Sequence, residues 1–516
     1  MAAAPSQGPR RIAVAALGAS LLGLYLFTAF GLSGSADIVR LNSSIFDLDV
    51  GRIVTDWTSN AGGHRTHVHP LSKLAVAPIG SLLRFGAGLS DVAAARWIVA
   101  LAMTLNVLLA GRLAAQLAGG EPVPGLLAAL VGGVSFSSVL LASIPDTASL
   151  SGLGTLVPLL YLNRRWGARF TWGEALVWSA IGVLCIAFTI SQIANWSIAL
   201  AVRALPRAAG PPPAAPDRIV AKLLTCVAVF AAVTWGAANL QAAVYPGTGT
   251  FTQRKPPTKE FRSFNRLESV ERAPLWHTAR LAGHFVGVNF VAPFPGYSDF
   301  VIERWRQPYW SLSLEESRLE SWHSAQVALF GIWLFALLPA ALWLGRFDRR
   351  FLAPLLCIAS HFALHFVYGR EYILYSPNWH GVVAAVLVAA AWNGLGTRRR
   401  WLPPVVAAFS LAVAINSVAV MQRVYDEVEV EVGLEQALRD DTGHPLPAPP
   451  PAPPAARAPP IVKSGNARPP VLKLGPDPVP PGLCWAQPAA AGVTPPGPLT
   501  GGDRSCPRTP PRTSPD

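Results

Sequence analysis

Uninterrupted apolar runs recur along this chain of 516 residues, and they constrain its fold more than any other feature. Several runs reach about 18 residues or more with almost no charge, and a helix of that length crosses the roughly 30 Å hydrocarbon layer of a membrane. Inside lipid a chain must satisfy its own backbone hydrogen bonds, which a helix does. Because 51% of the residues are hydrophobic and only 14% are charged, the sequence predicts an all-α polytopic membrane protein.

The apolar runs predict about eleven transmembrane helices. They cover residues 12–33, 92–118, 123–143, 148–163, 173–189, 193–206, 217–243, 325–345, 351–368, 379–395 and 402–420. The polar string SQIANWS interrupts the apolar region 173–206, where a single tilted helix is the alternative to two short ones.

Arginine clusters between these runs indicate how the chain crosses the membrane. With eleven spans and a cytoplasmic N-terminus over residues 1–11, every short arginine cluster lies on the cytoplasmic side, as the positive-inside rule requires. The net charge of +13 is therefore explained by arginines that set the topology and contact lipid headgroups. This distribution argues against nucleic-acid binding. Two long loops, 34–91 and 244–324, then face outward, and each is expected to contain helix in the membrane interface.

The composition changes after the predicted transmembrane domain, residues 12–420. A short polar segment, 421–439, leads into a Pro- and Ala-rich tail, 440–516, which has too few apolar residues to form a core. We expect this tail to be disordered and outside the membrane. The frequent Ala, Arg and Pro residues are typical of a bacterium of high genomic GC content, so the expected location is the bacterial inner membrane.

The first outer loop carries an unusual concentration of charge in the string FDLDVGRIVTDWTSNAGGHRTHVHPL. Its acidic, basic and imidazole side chains are Asp47, Asp49, Asp56, Arg52, Arg65, His64, His67 and His69. If residues 46–58 are helical, Asp49, Arg52 and Asp56 share one face. A carboxylate there can accept a proton from a hydroxyl or coordinate a divalent ion. The alternative interpretation is a solvated helix with an Asp–Arg pair.

The histidines of HRTHVHP allow two kinds of ligand. His67 and His69 are two residues apart, on one side of an extended segment. A zinc site needs further ligands, which the sequence does not identify, so no residue is assigned to a metal. Binding of an anionic group together with Arg65 is the favoured function. Alternatively, His69 and Pro70 simply end the loop and start the interface helix.

A second polar cluster occurs in YGREYILYSPNWH, between the ninth and tenth predicted spans and on the same outer side. Its candidate substrate-binding residues are Arg370, Glu371, Tyr372 and His380. An arginine at the end of an apolar helix can bind a lipid phosphate through paired hydrogen bonds. The alternative is an aromatic belt with an arginine that reaches the interface. Two polar clusters on one side of the membrane favour a shared site.

The arrangement resembles the GT-C superfamily of integral-membrane glycosyltransferases, which includes protein O-mannosyltransferases and lipid A aminoarabinose transferases. FDLDVGRI corresponds to the acidic motif after the first span, and HPLSKLAVAPIG corresponds to the proline-containing interface helix. The similarity covers roughly residues 10–420. It implies inverting transfer of a sugar from a polyprenyl-phosphate-linked donor to a hydroxyl of a glycan, lipid or protein acceptor at the outer face of the membrane.

The resemblance also implies roles for individual residues. Asp49 would be the general base, with Asp47 as its nearest rival, while Asp56 and Arg52 would orient the reacting groups. Arg370, helped by Arg65 or His67, would stabilise the departing lipid phosphate. No cofactor is assigned, although a divalent cation stays possible, because the acids of DLD are spaced by one residue where family members have an adjacent pair. A multi-span lipid or polysaccharide transporter, a ligase-like protein and a scaffold that binds through the tail are the alternatives.

Overall fold

Helices account for most of the residues that the computed structural model describes, which are 8–32, 48–59, 68–205, 218–248, 270–271, 273–302, 307–314, 322–369 and 372–442. The chain divides into a unit Met1–Leu446 and a second unit Pro447–Asp516. The second unit lies outside the described residues, as does nearly all of the predicted tail. The first unit contains the helices and a single two-stranded hairpin among its described residues.

The first half of the chain forms ten helices within the described residues. They are α1 Gly8–Leu26, α2 Val50–Thr58, α3 Ser72–Ser81, α4 Asp91–Leu117, α5 Pro122–Val134, α6 Phe136–Ser143, α7 Ala148–Arg164, α8 Trp172–Phe188, α9 Gln192–Ala204 and α10 Ile219–Val244. Short π-helical segments, Phe27–Leu32 and Leu82–Gly86, continue α1 and α3.

The second half contains six further α-helices and two strands among its described residues. They are α11 Pro274–Gly283, β1 Gly296–Ile302, β2 Gln307–Ser313, α12 Ser324–Gly331, α13 Leu338–Leu344, α14 Leu352–Val367, α15 His380–Leu395 and α16 Leu402–Thr442. Strands β1 and β2 pair antiparallel, with Gly296 opposite Ser313 and Ile302 opposite Gln307. Helix α16 continues without a break through 421–439, which was predicted as a separate polar segment.

Each predicted span coincides with a helix or with consecutive helices, so the helical positions are confirmed. Within the described residues, six stretches are long and apolar enough to cross a membrane, or seven if the bent pair α5 and α6 is one span. The six are Gly8–Leu32, Asp91–Leu117, Ile219–Val244, Ser324–Leu344, Arg349–Val367 and His380–Glu429. They indicate an integral membrane protein, whereas the count of eleven spans stays a prediction.

Two helices rather than one occupy the region that SQIANWS interrupts. Helix α8 ends at Phe188 and α9 begins at Gln192, as the first of the two alternatives predicted. The three-residue connection turns the chain, and the N–H of Ile190 donates to the carbonyl oxygen of Val68 over 3.0 Å. This turn therefore contacts the segment that precedes α3.

Helices α4 and α5 approach each other closely at two glycines. A Cβ atom on Gly111 would lie 2.5 Å from the carbonyl oxygen of Gly125, and one on Gly125 would lie 2.8 Å from that of Gly111. Neither position has room for a side chain. Small residues at such crossings let helix backbones pack directly in membranes, so this pair fixes α4 against α5 at the centre of the bundle.

Helices α5 and α6 are bent by 63° where Ser135 separates them. A helix that ends leaves its last carbonyl oxygens without N–H partners in the helix. The Tyr25 hydroxyl donates to the oxygen of Gly133 over 2.8 Å, and the Ser417 hydroxyl donates to that of Val134 over 2.9 Å. Side chains from helices far apart in the sequence therefore stabilise the bend.

The segment after α11 packs against the same bend. All but one of residues 284–293 are buried. The N–H groups of Phe136 and Ser137 donate to the carbonyl oxygens of Phe290 and Asn289, over 3.4 and 3.1 Å. Part of the range 244–324, which was predicted as an outer loop, is thus a buried segment that supplies backbone hydrogen bonds to the first turn of α6.

Candidate active site

Helix α2 carries the acidic motif, and its face is the one that the spacing predicted. Arg52 lies between two carboxylates. Its Nη2 is 2.7 Å from Oδ2 of Asp49, and its Nη1 is 3.3 Å from Oδ2 of Asp56. Residues three and four apart face each other on a helix, so one guanidinium bridges both acids through two different nitrogen atoms.

The two carboxylates differ in their access to solvent. The side chain of Asp49 is 18% exposed, whereas that of Asp56 is 1% exposed. Asp49 also stands immediately before the first helical residue, Val50. Asp49 is therefore the carboxylate that solvent reaches, whereas the buried Asp56 fixes the position of the Arg52 guanidinium.

Lys73, on α3, is a member of this site that the sequence analysis missed. It is only 1% exposed, and its ammonium lies 5.4 Å from the centroid of the Tyr245 ring. Burial lowers the pKa of Lys73, and the nearby Asp56 carboxylate partly opposes this shift. The available signal was a single charge inside the otherwise apolar string LSKLAVAPIG, since a buried lysine normally has a partner.

Helices α2 and α3 are fixed against each other by a close backbone contact. A Cβ atom on Gly80 would lie 2.0 Å from the carbonyl oxygen of Trp57. Trp57 is fully buried next to this contact. The glycine thus sets the distance between the helix that carries Asp49 and the helix that carries Lys73.

The end of α10 holds the start of α3 in place. The Gln241 side chain is buried. Its Nε2 donates to the carbonyl oxygen of Pro70 over 2.9 Å, and its Oε1 accepts from the N–H of Leu74 over 3.0 Å. The side-chain amide of Gln241 therefore hydrogen-bonds the backbone just before α3 and in its first turn. These bonds fix the direction in which the Lys73 side chain projects.

His69 anchors the same segment to two neighbouring helices. Its Nδ1 lies 2.6 Å from the carbonyl oxygen of Phe188, and its Nε2 lies 3.3 Å from Oγ1 of Thr147. The N–H of Leu71 donates to the oxygen of Ala187 over 3.1 Å. Both ring nitrogens are thus engaged, which favours the interpretation that His69 ends the loop over the interpretation that it binds a metal or phosphate.

The described residues of the second polar cluster, which do not include Arg370 and Glu371, are largely buried. Tyr372 and His380 lie inside the bundle. Nε2 of His380 is 2.8 Å from Oγ of Ser138, and the Tyr372 ring packs 5.6 Å from the ring of His284. These contacts place both residues where they shape the segment 372–380.

A chain of buried hydrogen bonds continues from this segment into the bundle. Oδ1 of Asn378 accepts from Nε2 of Gln192 over 2.6 Å. Oε1 of Gln192 accepts from Oγ1 of Thr155 over 2.8 Å. Nδ2 of Asn195 then lies 2.7 Å from Nε2 of His361. Polar side chains from α7, α9 and α14 therefore form one hydrogen-bonded group next to residues 372–380.

The two polar clusters meet at the start of α7. His69 contacts Thr147, and Asn378 accepts a hydrogen bond from Ser151. Thr147 and Ser151 are four residues apart, about one helical turn. His69 and Asn378, which are some 300 residues apart in the sequence, therefore contact neighbouring turns at the start of α7.

Five candidate residues lie outside the described residues, namely Asp47, Arg65, His67, Arg370 and Glu371. Among those that are described, no group of three or more His, Cys, Asp or Glu side chains could hold a metal ion. A divalent cation needs several oxygen ligands, and the positive Arg52 occupies the position between the carboxylates of Asp49 and Asp56. In this structure the two carboxylates therefore bind a guanidinium.

No known family model matches the chain. No curated protein is detectably similar to it. The function is therefore inferred from the geometry of the site and from the sequence motifs.

Proposed function

We propose that this protein is a membrane glycosyltransferase of the GT-C type, which moves a sugar from a polyprenyl-phosphate-linked donor to an acceptor hydroxyl. The observation that carries the proposal is the bridge from Arg52 to a partly exposed Asp49 and a buried Asp56. An accessible carboxylate held in one orientation is what a general base requires. The resemblance of FDLDVGRI and HPLSKLAVAPIG to the family motifs supports the same function.

In the proposed reaction the acceptor hydroxyl gives its proton to Asp49 as its oxygen forms a bond to the anomeric carbon of the sugar. The bond from that carbon to the lipid phosphate oxygen breaks, and the phosphate leaves with the electron pair. Attack opposite the leaving group inverts the anomeric centre. Asp47 is the rival base, and Arg52 with Asp56 orients the carboxylate.

The departing phosphate gains negative charge, which a cation near the membrane surface stabilises. We assign this role to Arg370, helped by Arg65 or His67. Glu371, Tyr372 and His380 would hold and shape the segment that presents Arg370, and His69 would fix the loop that presents Arg65.

The proposed topology has eleven spans in a bacterial inner membrane, with the N-terminus in the cytoplasm and the tail outside. Contacts among helix ends support it. Nη1 of Arg350 donates to the carbonyl oxygen of Gln116 over 3.3 Å, and Arg203 forms a two-nitrogen ion pair with Glu174 over 2.6 and 2.9 Å. In both cases residues assigned to the cytoplasmic side contact each other, as the topology requires.

The test is sugar transfer by the purified full chain, offered a panel of polyprenyl-phosphate sugars together with candidate acceptors. Asp49→Asn is compared with wild type, and Asp91→Asn is the matched control because Asp91 is a partly exposed aspartate paired with Arg84 over 2.7 Å. We expect turnover to be lost in Asp49→Asn and kept in Asp91→Asn, with donor binding unchanged in both. Full turnover by Asp49→Asn and Asp47→Asn would remove the catalytic assignment.

The bend at Ser135 favours a transporter as the second candidate function. Transporters place broken helices near the middle of the membrane, and Ser135 is 13 residues into the stretch that begins at Pro122. Reconstituted protein would then move a lipid-linked sugar between leaflets without hydrolysis or transfer, and Asp49→Asn would leave that movement intact. A membrane-impermeant reagent that modifies the sugar distinguishes movement from transfer.

A further inference from the structure

Arg96, in the second turn of α4, is buried without a charged partner. Its side chain is 4% exposed. Neither its Nε nor its Nη2 has a hydrogen-bond partner, and both atoms are shielded from solvent. A buried charge is costly unless it is paired and hydrogen-bonded. The two open donors on this guanidinium therefore indicate that a negatively charged group belongs beside it.

Aromatic side chains from two other elements lie near Arg96. The Cζ atom of Arg96 lies 5.5 Å from the centroid of the Phe30 ring, in the π-helical end of α1. The side chain of Tyr425 of α16 is buried nearby. A ring face attracts a cation, but it supplies no acceptor for the N–H groups of a guanidinium.

Acidic residues on α4 and α16 bind other partners. Asp91 pairs with Arg84 over 2.7 Å, and Oδ1 of Asp426 accepts from Nε2 of Gln422 over 2.8 Å. Among the described residues, no carboxylate forms an ion pair with Arg96. The described residues therefore supply no carboxylate acceptor for the Nε and Nη2 atoms of Arg96.

We propose that Arg96 binds the phosphate group of an anionic membrane lipid. Arg96 lies five residues after the start of α4 at Asp91, or about 8 Å along the helix, which is near the depth of lipid headgroups at the end of a span. A guanidinium forms paired hydrogen bonds with phosphate oxygens. A bulk anionic phospholipid and a polyprenyl phosphate both offer this group. The site shares no residue with Asp49 or Arg52, so the proposal does not depend on sugar transfer.

The experiment is a native mass spectrometry titration of the full chain in detergent. The probes are phosphatidylglycerol, a polyprenyl monophosphate, inorganic phosphate, and diacylglycerol as a lipid without phosphate. We expect both phosphate-bearing lipids to bind wild type at least about tenfold more tightly than Arg96→Met, because the variant loses charge-assisted hydrogen bonds. Arg96→Lys keeps the charge but lacks the planar guanidinium with its paired N–H donors. Its affinity for the two lipids should lie between those of wild type and Arg96→Met.

Arg84→Met is the matched control, since Arg84 precedes the same helix and pairs with Asp91, and it should bind both lipids as wild type does. The lipid that binds more tightly identifies the source of the phosphate. Equal binding to wild type and Arg96→Met would overturn the proposal, and so would diacylglycerol binding as tight as that of phosphatidylglycerol. Binding of inorganic phosphate alone would overturn the assignment to a lipid.

Thermal unfolding separates a binding defect from a folding defect. Without added lipid, Arg96→Met should be at least as stable as wild type, because it removes an uncompensated buried charge. Phosphatidylglycerol should then raise the unfolding temperature of wild type and leave that of Arg96→Met unchanged. If Arg96→Met does not fold, the same comparison is made with Arg96→Lys, for which an undiminished lipid-induced rise would contradict the proposal.

Discussion

The hydroxyl of Ser151 donates a hydrogen bond of 2.5 Å to Oδ1 of Asn378 and so joins α7 to the segment before α15. The same oxygen accepts a second hydrogen bond, from Gln192. Asn378 is buried, and therefore water cannot replace it for either donor. This one amide oxygen therefore connects α7 and α9 to the segment that precedes α15.

Replacing Asn378 by alanine should destabilise the protein by about 1–3 kcal/mol. The reason is that the buried amide of Gln192 would lose its acceptor, and an unsatisfied group costs about 1–3 kcal/mol. The Ser151 hydroxyl can still donate to the carbonyl oxygen of Ala148, which lies 2.7 Å away. The measurement is denaturant unfolding in detergent micelles. Asn239→Ala is the control, because Asn239 is exposed and bonds only its own helix; its change should stay within about 0.5 kcal/mol. A loss for Asn378→Ala no larger than that of the control would contradict the prediction.

Gly80→Ala should separate α2 from α3. The added Cβ would lie 2.0 Å from the carbonyl oxygen of Trp57, so the backbone has to move, at a cost of about 1–3 kcal/mol. Because α2 carries Asp49, sugar transfer should fall together with the unfolding free energy. Gly236→Ala, where nothing lies within 4 Å of the new atom, should be neutral or slightly stabilising. The measurements are the unfolding free energy and the sugar-transfer rate of both variants. Wild-type values of both quantities for Gly80→Ala would refute the prediction.

The positions of the helices could be predicted because they depend on local properties of the chain. An apolar run of sufficient length forms a helix in lipid wherever it occurs. The face shared by Asp49, Arg52 and Asp56 was also predictable, since helical spacing alone brings residues at i, i+3 and i+7 together. The bridge from Arg52 follows from that spacing.

Other features depend on residues far apart in the sequence. The bend at Ser135 requires Tyr25 and Ser417 to reach the freed carbonyl oxygens, and hydropathy contains no information about such pairs. The burial of Lys73 likewise depends on where Tyr245 lies. The role of His69 was left open between two interpretations, because only the fold shows that Phe188 and Thr147 are its neighbours.

Arg52→Lys should reduce kcat for sugar transfer by about tenfold, equivalent to roughly 1.4 kcal/mol of barrier. The guanidinium contacts Asp49 and Asp56 through different nitrogens, whereas a lysine ammonium is a single point that cannot occupy both positions. KM for the lipid donor should stay unchanged if the role of Arg52 is the one proposed above, which is to orient the base. Steady-state kinetics separate the two constants. Arg84→Lys is the control, and equal kcat values for the two variants would show that the bridge has no catalytic role.

Lys73 should make the stability of the protein rise with pH on the alkaline side. Its pKa in the folded protein lies below the ordinary lysine value of 10.5 because the ammonium is buried, with partial compensation from Asp56. Between the lowered pKa and 10.5, the unfolded chain binds more protons than the folded protein, and stability therefore increases with pH in that interval. Below the lowered pKa, both states are protonated and the folded state carries the full cost of burying the charge.

Lys73→Met removes this titration. The variant should be more stable than wild type near neutral pH, and its advantage should shrink as the pH approaches 10.5, where wild-type Lys73 is neutral in the folded state. Denaturant unfolding of both proteins at several pH values up to that point gives the difference directly. A difference that does not change with pH would mean that Lys73 keeps its ordinary pKa, and that Asp56 or another group compensates its burial completely. A difference that grows with pH would show that the folded protein holds the Lys73 proton more tightly than the unfolded chain does.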